Sequence, residues 1–204
     1  SPILIGERIN PTGKSKFKEA LRQNNMDYIL NEGIAQQEKG VQILDVNVGL
    51  PEIDEVEMIK NAVFELQSVI DLPLQIDTVD IEAMEQSMRL YNGKPLVNSV
   101  NGKKKNMKDV FPLIKKYGGT LIALTIDEDG IPETIEGRIK IAEKIIKTAK
   151  EHGIDKKDIV VDPLAMTISS DTNSANITLE TVKRLSNMGI KTSLGVSNLS
   201  LIHI

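Results

Sequence analysis

Short apolar runs alternate along the chain with longer amphipathic segments. The runs cover residues 3–5, 41–44, 74–76, 95–97, 120–124, 158–161 and 192–196. Each is short, rich in β-branched residues and bounded by turn residues, which predicts buried strands. The segments between them carry helical spacing. Glu55–Val69 sets Val56, Ile59, Val63, Leu66 and Ile70 at three- and four-residue steps, and residues 134–150 do the same with Ile135, Ile139, Ala142, Ile145, Ile146 and Ala149. Further helices are predicted over 26–39, Ile81–Leu90, 107–116 and 179–188. Gly40, Gly118, Gly153 and Gly189 each follow a helical segment and precede a strand, where a left-handed C-terminal cap is wanted.

Seven strands separated by helices imply parallel pairing through crossover helices. An open doubly wound sheet and a closed barrel both satisfy that pattern. Neither a dinucleotide-binding fingerprint nor a P-loop is present. The strand count and regular spacing favour the barrel, so the expected fold class is α/β, a (β/α)8 TIM-type barrel. Such barrels take about 250 residues. The 204 residues are therefore expected to form one domain, 1–204, truncated after strand seven and lacking the last helix and strand eight. Strands one and seven would then be open edges, and a homodimer that pairs them is expected.

Composition narrows the chemistry. A net charge of −4 with acids and bases interspersed gives no basic face for nucleic acid. The cluster Lys103-Lys104-Lys105 reads as a solvated loop. The absence of cysteine removes disulfides, thiolate metal sites and a thiol nucleophile, and fits a cytoplasmic protein. No stretch approaches the about 20 apolar residues of a membrane span. The sequons at Asn176 and Asn198 are discounted for want of a secretory signal. His152, before Gly153, reads as a solvated or capping residue at a helix end.

In a barrel of this type the active site lies at the C-terminal ends of the strands. The predicted strands exit into Glu7-Arg8-Ile9-Asn10, Asp45-Val46-Asn47, Asp77-Thr78, Asn98-Ser99-Val100-Asn101, Thr125-Ile126-Asp127, Asp162-Pro163 and Ser197-Asn198. Helix capping accounts for such residues one at a time. It accounts less well for Asp45, Asp77 and Asp162, which abut their apolar runs without a spacer. A carboxylate leaving a buried strand is costly unless it meets a partner. Carboxylates and amides without metal ligands suit a neutral, nitrogen-rich ligand. A carboxylate can accept two parallel hydrogen bonds from an amidine-like edge, and an amide can both donate and accept. A pterin ring meets that description, though the residue types alone do not single it out.

The segments Gly6-Glu7-Arg8-Ile9-Asn10-Pro11-Thr12-Gly13, Leu44-Asp45-Val46-Asn47, Asp77-Thr78, Val97-Asn98-Ser99-Val100-Asn101, Asp162-Pro163-Leu164 and Gly195-Val196-Ser197-Asn198 resemble, in order, the pterin-binding domain of methyltetrahydrofolate:corrinoid methyltransferases and cobalamin-dependent methionine synthase. The resemblance implies transfer of the N5-methyl group of methyltetrahydrofolate to the Co(I) of a corrinoid (cobalamin) carried by a partner protein or domain. It implies that Asp77, Asn98 and Asp162 hold the pterin, that Asn198 is the catalytic hydrogen-bond donor near N5, and that Glu7, Asn10, Asp45 and Asn47 line or brace the pocket. No metal site is implied in the chain itself. The alternatives are dihydropteroate synthase, which shares the fold and the pterin pocket, and a noncatalytic pterin-binding module.

Overall fold

The computed structural model describes residues 2–165 and 172–196. Within them, β1 (Ile5–Ile9) leads through two helices, α1 (Ser15–Arg22) and α2 (Met26–Glu38), to β2 (Ile43–Val46). There follow α3 (Glu55–Val69), β3 (Leu74–Asp77), α4 (Ile81–Leu90) and β4 (Leu96–Asn101). The chain continues through α5 (Lys104–Tyr117), β5 (Thr120–Leu124), α6 (Ile135–Glu151), β6 (Ile159–Asp162), α7 (Thr172–Asn187) and β7 (Lys191–Thr192). The strands lie in the sheet in chain order, from β1 to β7. Every described pairing is parallel. A doubly wound sheet reverses its strand order at a switch point. Here the order never reverses, which is the winding of a (β/α)8-type barrel. The chain divides into two compact units, Ser1–Asn98 with Tyr117–Gly119 and Ser99–Lys116 with Thr120–Ile204.

In the first unit α3 and α4 occupy the ranges that their periodicity predicts. Asp54 and Asp80 cap them, accepting from the backbone N–H of Glu57 at 3.1 Å and of Ala83 at 2.8 Å. Met58, Ile59, Ala62, Val63 and Leu66 form the buried face of α3, which packs on α2, α4 and β2. Gly6 is required for close approach. A Cβ there would lie 2.3 Å from Oε1 of Gln36 on α2, and that same oxygen accepts from the Arg8 N–H at 3.2 Å.

Several boundaries move. Ile3 and Leu4 are exposed, and the first strand runs over Ile5–Ile9 instead of 3–5. Glu7 therefore sits within a strand, not after it. Asp45, Asp77, Asn98 and Asp162 are likewise the inner or last residues of their strands. The ladder hydrogen bonds extend past the apolar run because the polar side chains have partners, so the backbone has no reason to leave the sheet. The last strand is shorter than expected, two residues, with Val196 exposed. Lys104 and Lys105 open α5 instead of forming a loop, because the carboxylate of Glu128 accepts from the Lys104 N–H at 2.7 Å and takes the place of a local cap. Gly40, Gly118, Gly153 and Gly189 all have the positive φ that their positions demand, 73° to 82°.

Candidate functional site

In the first unit, polar groups from β2 and β3 and the residues after them form one network. Asp45 and Gln75 are register partners on adjacent strands. The Gln75 amide donates to Oδ1 of Asp45 at 2.6 Å, and both side chains are buried. Asn47, just beyond β2, donates through Nδ2 to Oδ2 of Asp77 at 3.1 Å. Its own Oδ1 accepts from the Gly49 N–H at 3.0 Å, which fixes the amide orientation. Thr78, beside Asp77, donates to Oε1 of Glu55 at 2.6 Å. Asn98 on β4 is in register with Asp77, and its carbonyl accepts from the Thr78 N–H at 3.1 Å.

The electrostatics divide the two central carboxyls. Burial, and then the neighbouring Asp77 charge, push Asp45 well above the usual carboxylate range. Burial also raises Asp77, but hydrogen bonds from Asn47 and Asp45 oppose that rise. Negative charges on Glu7 and Glu55 add to it. Burial and the neighbouring charge thus favour the protonated form of Asp45 more than that of Asp77, and the two carboxyls titrate as a pair.

Asp77 and Asn47 border a cleft of about 630 Å³ in the first unit. Leu50, Ile53 and Val79 supply apolar surface to it, and Val79 is 94% exposed. The lining also includes Asp54, Glu55 and Asp80, and no lysine or arginine. Such a cleft can take a flat ring with apolar faces and a hydrogen-donating edge directed at Asp77.

In the second unit Asp162 ends β6. Its Oδ1 accepts from the Leu164 N–H at 2.8 Å, and its carbonyl accepts from the N–H and hydroxyl of Thr125, each at 3.2 Å. Leu164 has a positive φ of 60°. Arg138 of α6, 2% exposed, donates to the carbonyls of Pro163 at 3.0 Å and Leu164 at 3.2 Å.

A family profile described as the pterin binding enzymes matches residues 6–204. The chain belongs to the pterin-binding enzyme family.

Among relatives of this pterin-binding enzyme, methionine synthase of Mycobacterium leprae is 28% identical over 212 residues, which cover 98% of the chain and 18% of that protein. The methylcorrinoid:tetrahydrofolate methyltransferase of Eubacterium limosum is 33% identical over 175 residues, 84% of the chain and 64% of that protein. The chain thus spans less than two thirds of the length of either. A dihydropteroate synthase of Clostridium difficile, solved in the presence of pteroic acid, superposes with a TM-score of 0.74 at 23% identity, covering 97% of the chain and 77% of its own. That of Xanthomonas albilineans in complex with 7,8-dihydropteroate gives 0.71 at 17%, covering 96% and 71%. These likenesses establish the fold, a TIM-type barrel.

Of the residues singled out in the sequence of this pterin-binding enzyme, Asp45, Asn47 and Asp77 come together in one hydrogen-bonded network. Glu7 acts on both carboxyls through its charge. Asn10 turns inward on the backbone, its Oδ1 accepting from the Thr12 N–H at 2.9 Å. Asn198 lies outside the described residues. The sequence reading missed Gln75 and Arg138. Each carries a signal in hindsight, a polar residue at a phase where the flanking apolar residues are buried. No described helix is long and apolar enough to cross a membrane.

Proposed function

We propose that the chain binds methyltetrahydrofolate by its pterin ring and catalyses movement of the N5-methyl group to the Co(I) of a corrinoid carried by a partner protein or domain. The observation that carries this reading is Asp77, held by the Asn47 amide at the edge of a cleft that Asp54, Glu55 and Asp80 also line. A carboxylate braced by Asn47 suits the N–H edge of a neutral ring, as a charge-assisted acceptor. The two relatives described above are a methionine synthase and a methylcorrinoid:tetrahydrofolate methyltransferase, and the second is a methyl-transfer enzyme by name. In this reading Asn98 and Asp162 hold the ring, Asn198 stands near N5, and Glu7 and Asn10 line the surroundings, as the resemblance of their segments implies.

The chemistry explains why an amide would stand near N5. The N5–CH3 bond breaks as the methyl passes to the nucleophilic metal, and N5 keeps the bonding pair and must gain a proton. A neutral amide has no proton to lose near pH 7. It donates a hydrogen bond that strengthens as charge builds on N5, while solvent supplies the proton. The name of the Eubacterium limosum relative states the reverse direction. The same contacts serve both directions, since they act on one transition state.

Single-turnover transfer from methyltetrahydrofolate to added cob(I)alamin tests the reading. Transfer at a rate that Asn198→Ala lowers on the order of a hundredfold, with affinity retained, supports it. Condensation of a pterin diphosphate with p-aminobenzoate, without methyl transfer, would replace it with the synthase. Folate binding with neither reaction would make the chain a binding module.

A further inference from the structure

We propose that Arg138 is the positioning residue for Asp162, holding the turn after β6 in the one backbone conformation that aims this carboxylate. The proposal rests on the reading above, in which Asp162 contacts the pterin.

Arg138 occupies an unfavourable place for a cation. It is 2% exposed, and it lies near the N-terminus of α6, where the helix dipole opposes positive charge. Among the described residues its hydrogen-bond partners are all neutral. Nε donates to the Pro132 carbonyl at 3.0 Å, and one terminal nitrogen faces the Pro163 carbonyl at 3.0 Å, the Leu164 carbonyl at 3.2 Å and the Thr178 hydroxyl at 3.1 Å. Burial lowers the pKa of the guanidinium. An aliphatic side chain would fill this helix position without that desolvation cost. What distinguishes arginine here is the set of carbonyls it gathers.

Two of those carbonyls belong to Pro163 and Leu164, the residues that directly follow Asp162. Leu164 adopts a φ of 60°, which a residue with a Cβ rarely holds unless its surroundings enforce it. In that conformation its N–H points back at Oδ1 of Asp162, 2.8 Å away. The chain of restraint therefore runs from the guanidinium to two carbonyls, from these to the left-handed Leu164, and from its N–H to the carboxylate. The Thr178 hydroxyl, which donates to the Ser174 carbonyl at 3.1 Å, ties the same guanidinium to α7. A lysine offers one ammonium in place of the planar fork and cannot serve Pro132 and the two turn carbonyls together.

A double-mutant cycle on the whole chain tests this, with methyltetrahydrofolate affinity by calorimetry and amide exchange by NMR as readouts. Arg138→Met is expected to weaken binding about tenfold in the parent and not at all in an Asp162→Asn background. Adding Leu164→Gly to Arg138→Met should restore affinity to within about threefold of the parent, because glycine holds a positive φ unaided. Arg138→Lys should not restore it, and takes the place of Arg138→Met in the cycle if that variant fails to fold. An equal loss in both Asp162 backgrounds, or no rescue by Leu164→Gly, overturns the proposal. If Asp162→Asn itself leaves affinity unchanged, the pterin role of Asp162 falls, and exchange decides the positioning role separately. Loss of Arg138 must then speed exchange of the Leu164 N–H at least tenfold more than that of the α6 amides, and equal protection overturns it.

Discussion

The two units hold their carboxylates by different means. In the first, side chains hold side chains: the Gln75 amide donates to Asp45, Asp45 and Asp77 interact electrostatically, and the Asn47 amide donates to Asp77 from beyond β2. In the second, the backbone holds Asp162, through the N–H of a left-handed Leu164 whose turn Arg138 clamps. A side-chain network loses its bonds one at a time, and each loss is local. A clamped turn has one favourable geometry and loses it as a unit. The first arrangement therefore tolerates exchange of its parts, and the second does not.

The largest expected difference is in stability. Arg138→Met leaves the buried Pro163 carbonyl and the part-buried carbonyls of Pro132 and Leu164 without this donor and should cost about 3 kcal/mol in urea unfolding. Gln75→Leu removes one donor, and with it an oxygen that meets no hydrogen-bond partner among the described residues, so its cost should stay within about 1 kcal/mol. Equal costs would erase the contrast. Next is ligand affinity. Asp77→Asn replaces the charged acceptor with a neutral one and should weaken methyltetrahydrofolate binding by about 1.5–3 kcal/mol in calorimetry. Unchanged affinity would remove Asp77 from the pocket.

The smallest effect distinguishes the two members of the pair. Asp45→Asn keeps a polar side chain of the same shape between Gln75 and Asp77, so affinity should change by less than about 1 kcal/mol. Its signature is in the pH dependence. A folded-state pKa raised above the unfolded value means that the native state binds more protons than the unfolded one between those two values. The native state thus loses stability as pH rises from the ordinary carboxylate value to the raised one. Unfolding free energies measured across that interval should fall less steeply for Asp45→Asn than for the parent. An unchanged slope would mean that Asp45 is charged in the folded protein.

Much of the frame was legible because it rests on local rules. α3 and α4 have an apolar stripe, an aspartate cap and clear ends, and both lie where the pattern puts them. α1 was not legible. It buries only Phe17, Ala20 and Leu21 in a lysine-rich stretch, too short a stripe to stand out. The start of α5 depends on Glu128, a residue 24 positions away, which no local pattern encodes. The same division applies to the site. Asp45 and Asp77 were visible as carboxylates abutting apolar runs. The upward shift of both carboxyls was not, because it depends on two strands meeting in register and on the burial that follows. Arg138 reads from sequence as one more charged residue of an amphipathic helix; its phase with the buried Ala142 and Ile145 is the one hint that the charge faces inward, and the packing shows it.

The unbroken order of strands in the sheet has a consequence for how the chain is made. Described strand partners are close in sequence, from 21 residues apart for Gln75 and Leu96 to 38 for Ile5 and Ile43. Each new strand emerging from the ribosome finds its neighbour already in place, one repeat earlier. No pairing among those described must wait for a distant segment, so loop closure costs about the same at every step. Domains synthesised from the N-terminus begin to fold before the chain is finished. Here the Asp45–Asp77 pair can assemble as soon as β3 joins β2, well before Asp162 has been translated.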